Sequence, residues 1–220
     1  MNNTKDYVFI RDKGSKLRLK GDWNSLYSDI EDPWNMKEYP SSLPDILNEF
    51  FERDFDYLEL GCGLGYHMKK VYDATKTLTV SGIDISDVCV ERAKKLYPQL
   101  NFFVGDATDK NISTIGNFDC VALVGTLWYV MYDLDQVFNN VSKMLKSNGI
   151  FAINQSFLLE QHYGNEVFEG LHGFLELLSR NKFFYVEKIE SNRIFHEGKI
   201  VLDTAILLKE IIRNVNQEML

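Results

Sequence analysis

The sequence predicts an α/β fold in which a mostly parallel sheet carries helices on both faces. Three observations predict it. Short apolar runs alternate with amphipathic helical stretches from about residue 42 onward. One run, residues 118–124, is nearly all apolar, as a strand buried on both faces should be. A glycine-rich turn, Gly61-Cys62-Gly63-Leu64-Gly65, links the first such strand directly to the helix that follows it.

Taken in order, residues 1–20 look loosely organised. Residues 21–40 gather Trp23, Leu26, Tyr27, Pro33, Trp34, Met36, Tyr39 and Pro40 in a short acidic stretch. Ser42 and Pro44 then mark a helix start, with Ile46, Leu47, Phe50 and Phe51 on one face. Residues 55–60 predict a strand, and the glycine turn leads to a helix from about Tyr66. Residues 78–85 predict the second strand, and Ser86 or Asp87 caps a helix running to about Leu96. Residues 101–104 and 118–124 predict the third and fourth strands. Leu134, Val137, Phe138, Val141, Met144 and Leu145 recur at helical spacing, and Asn148-Gly149 stops that helix. A fifth strand follows at 150–156. Val167, Leu171, Phe174, Leu175 and Leu178 mark another amphipathic helix, and strands at 183–189 and 199–208 form an antiparallel hairpin edge. The organisation expected is an N-terminal lid segment, 1–40, and one domain, 41–220.

Composition narrows the function. The 220 residues suffice for one well-buried domain with a modest lid. Hydrophobic residues are 45% of the chain, too many for a disordered one. No apolar stretch approaches the roughly 20 residues that a membrane span needs, and residues 1–20 lack the apolar core of a signal peptide. Cys62, Cys89 and Cys120 show neither disulfide nor zinc spacing, which suits a reducing cytoplasm. A net charge of -8, with only residues 16–20 and 69–70 locally basic, argues against a nucleic-acid partner.

The chemistry centres on the glycine turn. Glycines let the backbone bend tightly and let a ligand lie against it without a Cβ clash. The N–H groups opening the next helix favour a polar or anionic group. A bare strand-to-helix turn would also use glycine, so spacing decides. The pattern is Gly-x-Gly-x-Gly with Glu59 two residues before Gly61, whereas the dinucleotide fingerprint is Gly-x-Gly-x-x-Gly. Asp84 ends the second strand, at the distance from the turn where an acid accepts from ribose hydroxyls. A carboxylate offers two acceptor oxygens to the two donors of a ribose edge. The plainer alternative is a helix cap. Asp106 follows the third strand, where it either meets an adenine amino group or serves a turn.

These residues resemble the successive motifs of the class I S-adenosylmethionine-dependent methyltransferases, over residues 55–156. The resemblance implies a Rossmann-like, seven-stranded, mostly parallel sheet with an antiparallel last strand. It implies S-adenosylmethionine as cofactor and methyl donor. It places the methionine moiety at Gly61, Gly63 and Gly65, ribose at Asp84 and adenine at Asp106. Cys62, Ile85, Ala107 and Val124 adjoin these positions in the donor site. Glu59 lies beneath the loop and holds it or the donor amino group. More narrowly, Leu26-Tyr27-Ser28, Asp32-Pro33-Trp34 and Tyr39 are similar to the start of nodulation N-methyltransferases and related sugar and small-metabolite enzymes.

Methyl transfer from a sulfonium needs positioning and exclusion of water. An oxygen acceptor usually also needs a base, and an amine must be neutral. His162 is the best base candidate, with a solvated loop histidine as its plainer reading, and Tyr27, Tyr39 or His162 would orient the acceptor or take its proton. Trp34, Trp128, Tyr129 and Tyr163 are candidate acceptor walls, with core aromatics as the plainer reading. His67 is expected on a helix surface. Strand four ends in Gly125-Thr126-Leu127-Trp128-Tyr129, without the Asn/Asp-Pro-Pro-Tyr/Phe signature of amide and adenine amino methyltransferases. No grouping has metal-ligand spacing, so no metal is expected. The expected reaction is methylation of an oxygen or nitrogen on a small molecule, a sugar derivative among the options, by a monomer or homodimer. A nicotinamide-dependent oxidoreductase and a non-catalytic donor-binding protein are the competing readings.

Overall fold

The computed structural model describes residues 4–11, 17–158, 160–196 and 199–211. In chain order its elements are α1 (Thr4–Val8), β1 (Phe9–Arg11), β2 (Leu17–Leu19), α2 (Trp23–Asp29), α3 (Leu43–Phe50), β3 (Phe55–Leu60), α4 (Tyr66–Ala74), β4 (Thr77–Asp84), α5 (Asp87–Leu96), β5 (Asn101–Val104), β6 (Phe118–Val124), α6 (Leu127–Val130), α7 (Leu134–Met144), β7 (Leu145–Phe157), α8 (Gly170–Arg180), β8 (Phe184–His196) and β9 (Lys199–Glu210). Seven strands form one sheet in the order β5-β4-β3-β6-β7-β9-β8. β9 runs antiparallel between β7 and β8, while β5, β4, β3, β6 and β7 are parallel neighbours. The expected fold class is the one observed.

β6 shows why this sheet sits where it does. All seven of its residues are buried. Val121 and Leu123 face a core shared with α7 and α8, through Phe138, Val141 and Phe174. Cys120, Ala122 and Val124 face the opposite core, with Leu47, Met68 and Val90 from α3, α4 and α5. Chain order reverses between β3 and β6, and ligands of open α/β sheets bind beyond the strand ends at such a point.

Two expectations are corrected. Residues 1–20 contain α1 and a β1–β2 hairpin among the described positions, with Tyr7 and Val8 packed on Leu26. Elements of three to five residues are too short to display a period. Asn148-Gly149 does not end α7, which stops at Met144. Instead Phe118 pairs with Leu145 and Cys120 with Ile150, so residues 146–149 bulge out of register. Asn148 has φ 65° there.

At the opposite end of the sheet from that switch point's ligand side, Asp119 clasps three segments. It accepts from the Asp56 amide at 2.9 Å, Arg53 Nη2 at 2.6 Å and Lys146 Nζ at 2.9 Å. Burial pushes its pKa up, but those donors outweigh burial and hold it at about 2. A depressed carboxylate pKa contributes stability that is full above the unfolded value, about 3.9, and is lost as pH falls through the folded one. Urea midpoints should therefore decline between about pH 4 and 2, and Asp119→Asn should flatten that part of the curve. An equally steep decline in the variant would assign the acid sensitivity elsewhere.

Candidate functional site

The glycine turn caps β3. Gly61 and Cys62 donate their amides to the Ile83 carbonyl at 2.8 and 3.0 Å, fixing the turn against β4. Gly61, Gly63 and Gly65 have φ of 72°, 53° and 79°, which L side chains seldom adopt. Asp84 supports the turn from below. Its Oδ2 accepts from the Gly63 amide and its Oδ1 from the Ser86 amide, both at 2.9 Å. Burial raises the Asp84 pKa, against the pull of those two amides. Ser86 caps α5 by accepting from the Cys89 amide, so the capping role falls to Ser86 and leaves Asp84 to the turn.

Above these groups lies a cavity of about 600 Å³. Gly61, Cys62, Asp84 and Ile85 line one side, and Asp106, Ala107 and Val124 line the next. Asp106 Oδ1 accepts from both the amide and the hydroxyl of Thr108 at 2.8 Å, so the turn role is real as well. Trp128 and Tyr129 continue the wall, as expected from the end of β6.

Residues 21–40 line the same cavity with Tyr27, Trp34 and Tyr39. Trp23 and Trp34 rest on Tyr129 at ring-centroid distances of 5.0 and 5.7 Å. Two cations hold the lid's backbone: Arg92 donates to the Tyr27, Ile30 and Glu31 carbonyls, and Lys70 to those of Met36 and Tyr39. Tyr27 is buried over the glycine turn, and a Cβ at Gly63 would come within 3.1 Å of its hydroxyl. Burial, then the nearby Asp84, pushes the Tyr27 pKa well up. Burial and Asp203 do the same to Tyr39. Tyr27 and Tyr39, the candidates to orient an acceptor or take its proton, both border the cavity.

A buried polar chain joins the lid to the sheet. Tyr57 donates to Glu59 Oε2 at 2.7 Å, and His67 Nδ1 lies 2.7 Å from the same oxygen. Both Glu59 and His67 are 2% exposed. His67 Nε2 is 3.1 Å from Ser41 Oγ, which donates to Asn154 Oδ1 at 2.6 Å. Asn154 Nδ2 donates to Asp203 Oδ1 and to the Thr204 carbonyl. Proton counting fixes the directions. Ser41 has one hydroxyl proton and gives it to Asn154, so His67 Nε2 carries the proton shared with Ser41. A single further proton then lies between Nδ1 and Glu59. His67 is thus inside the site rather than on a helix surface. Glu59 is held by Tyr57 and His67, not by the loop amides.

Four expected residues lie outside the cavity lining. Gly65 serves packing: a Cβ there would be 2.7 Å from the Phe102 ring. Gly63 shapes the turn through its amide bond to Asp84. His162 is exposed and Tyr163 half-buried, and both border a separate hollow with Leu17 and Glu166. Gln161 causes this, because its side chain bonds to the Tyr163 and Phe168 carbonyls and the Gly170 amide, turning the loop away. Ser156 and Leu158, from the same stretch, do reach the cavity. Sequence reasoning missed Ser41, Asn154, Ser156 and Asp203, although a carboxylate within the apolar run 200–208 is a signal in itself. Among the described residues no group of three or more His, Cys, Asp or Glu could hold a metal, and no helix is long and apolar enough to cross a membrane.

A methyltransferase-domain family model matches residues 58–153. The chain is 25% identical over 167 residues to malonyl-[acyl-carrier protein] O-methyltransferase of Acetivibrio thermocellus, covering 76% of this chain and 56% of that protein. It is 27% identical over 154 residues to the mRNA cap guanine-N(7) methyltransferase of Schizosaccharomyces pombe, covering 56% and 42%. The chain thus spans about half the length of the curated relatives it matches. Among solved structures, the N-methyltransferase NodS of Bradyrhizobium japonicum, in complex with S-adenosylhomocysteine, aligns with a TM-score of 0.65 at 15% identity, over 94% of this chain and 98% of that one. A S-adenosylmethionine-dependent methyltransferase of Geobacter sulfurreducens aligns with a TM-score of 0.59 at 14% identity, over 80% and 92%. These structures share the fold.

Proposed function

We propose that this chain, which belongs to the class I S-adenosylmethionine-dependent methyltransferases, methylates an oxygen or nitrogen of a small polar acceptor, a sugar or sugar-derived metabolite fitting best. One observation carries the acceptor reading: the aromatics of residues 21–40 and the strand ends line one cavity of about 600 Å³. That volume is in the range of about 300–1,000 Å³ typical of small-molecule sites. Asp32, Glu59, Asp84, Asp106 and Asp133 border it together with Lys5, and this acid-rich lining disfavours an anionic acceptor. The acidic chain as a whole favours the same class, without nucleic acid or membrane, acting in the cytoplasm as a monomer or homodimer.

The donor fits the residues present. Asp84 would accept from the ribose hydroxyls with the lone pairs its amide bonds leave over. Asp106 and Ala107 would border the adenine, with Ile85 and Val124 as apolar neighbours, and Gly61 and Cys62 would lie against the methionine moiety. Bound there, the donor supplies an electrophilic methyl group on a sulfonium. The protein's share is to hold the acceptor in line, and Trp34, Trp128 and Tyr129 serve that by walling out water.

Calorimetry tests the donor assignment with S-adenosylhomocysteine, which stands in for the donor without its methyl. It should bind, and NADH should not. Asp84→Ala should weaken it by roughly 1.5–3 kcal/mol, the range for hydrogen bonds to a charged group. Unchanged affinity in a folded variant would remove ribose from Asp84. Turnover against amino sugars, sugar alcohols and carboxylates tests the acceptor, and methylation of carboxylates alone would overturn the proposed class.

A further inference from the structure

We propose that Asp203 takes up the proton the acceptor loses, through a hydrogen-bonded chain of Ser156 and Tyr39, an inference that rests on the methyl-transfer reading above.

The chain is built by sheet register. Ser156 on β7 lies directly opposite Asp203 on β9, and Asn154, two residues before Ser156, shares its face. Tyr39 arrives from the lid and donates its hydroxyl proton to Asp203 Oδ1 in a short bond. Tyr39 Oη also lies 2.8 Å from Ser156 Oγ. With the Tyr39 proton committed to Asp203, Ser156 is the donor in that contact. Direction is therefore fixed: Ser156 to Tyr39 to Asp203. Ser156 and Tyr39 line the cavity, and Asp203 is 1% exposed behind them. Asp203 Oδ2 is buried without a hydrogen-bond partner among the described residues. An ionised carboxylate left half-satisfied in this way gains by accepting a proton.

The surroundings agree. Burial raises the Asp203 pKa, opposed by Tyr39, Asn154, the His67 ring and the Ser42 backbone. These groups come from the lid, β7, α4 and the start of α3, and Thr204 beside it on β9 bonds to Ser191 of β8. A carboxylate of raised pKa is a better base than an ordinary one.

The balance closes. The acceptor heteroatom forms its bond to the methyl carbon as the carbon–sulfur bond breaks and its electrons stay on sulfur. The acceptor's proton passes to Ser156 Oγ, the Ser156 proton to Tyr39, and the Tyr39 proton to Asp203 Oδ1. One positive charge, on sulfur, and one negative charge, on Asp203, are both discharged.

The first test is a carboxyl-¹³C NMR titration of aspartate-labelled protein saturated with S-adenosylhomocysteine, with Asp203→Asn identifying the resonance. Asp203 should titrate clearly above the ordinary value of about 3.9, and higher still in Tyr39→Phe, which removes a donor. A midpoint at or below the ordinary value overturns the proposal. The second test uses any acceptor that turns over. Asp203→Asn and Tyr39→Phe should each lower kcat at least tenfold, leave S-adenosylhomocysteine affinity within twofold, and abolish the acid limb of the kcat profile. An acid limb unchanged in Asp203→Asn also overturns it. If no small acceptor turns over, the acceptor class fails, and the carboxyl titration still decides the role of Asp203.

Discussion

Gly61→Val should reduce S-adenosylhomocysteine affinity at least a hundredfold, about 2.7 kcal/mol, while the sheet stays folded. Two costs combine. Gly61 has φ 72°, and a β-branched residue in that left-handed region is disfavoured by about 1–2 kcal/mol. Its Cβ would also stand 2.5 Å from Thr126 Cγ2 and 2.6 Å from Oγ1. Thr126 cannot retreat freely, because its hydroxyl bonds to the Val124 and Gly61 carbonyls. The turn must therefore shift, and with it the amides of Gly61 and Cys62 that bond to Ile83. Those amides shape the wall of the cavity on the donor side. Calorimetry with circular dichroism as the fold control reads the outcome. Affinity within threefold of the parent protein would mean that the turn does not touch the donor.

The second large effect is on stability. His67→Ala should lower unfolding free energy by about 2–4 kcal/mol, because it leaves the buried Glu59 carboxyl short of a hydrogen-bond partner and a gap where the ring packed. Glu59 would remain buried with Tyr57 as its one described hydrogen-bond donor. For a chain of this size that is a fall in Tm of about 10 °C. The double variant Glu59→Gln, His67→Ala leaves no charge behind, and it should be more stable than His67→Ala alone. Thermal unfolding of the three proteins decides. A Tm within 2 °C of the parent for His67→Ala would show that water from the cavity already solvates Glu59.

The glycine-turn wall of the cavity was legible in the sequence because its requirements are local. Three glycines in five residues, with Glu59 before them and Asp84 at the next strand end, are constraints on one stretch of backbone. Periodicity likewise placed β3, β4, β5 and β6 within a residue of their observed bounds. The wall that carries Tyr39 and Ser156 was not legible, since its contacts are remote in sequence. Tyr39 meets Ser156 across 117 residues and Asp203 across 164, and Ser41 meets Asn154 across 113. Each of these alone is an ordinary loop or strand residue. His67 was misplaced for a related reason. α4 reads YHMKKVYDA, a polar helix, and only the buried Glu59 facing it shows which side of it turns inward. His162 was the reverse case, a residue of suitable chemistry whose loop is tied back by Gln161.

The most direct test of the account is a crystal structure with S-adenosylhomocysteine bound. The ligand should lie in the cavity between the glycine turn and residues 21–40, with its ribose edge on Asp84 and its adenine beside Asp106 and Ala107. Its sulfur should face the space bounded by Tyr39, Trp128 and Ser156. A ligand seated elsewhere, or one in this cavity with its ribose away from Asp84 and its sulfur away from that space, would contradict it.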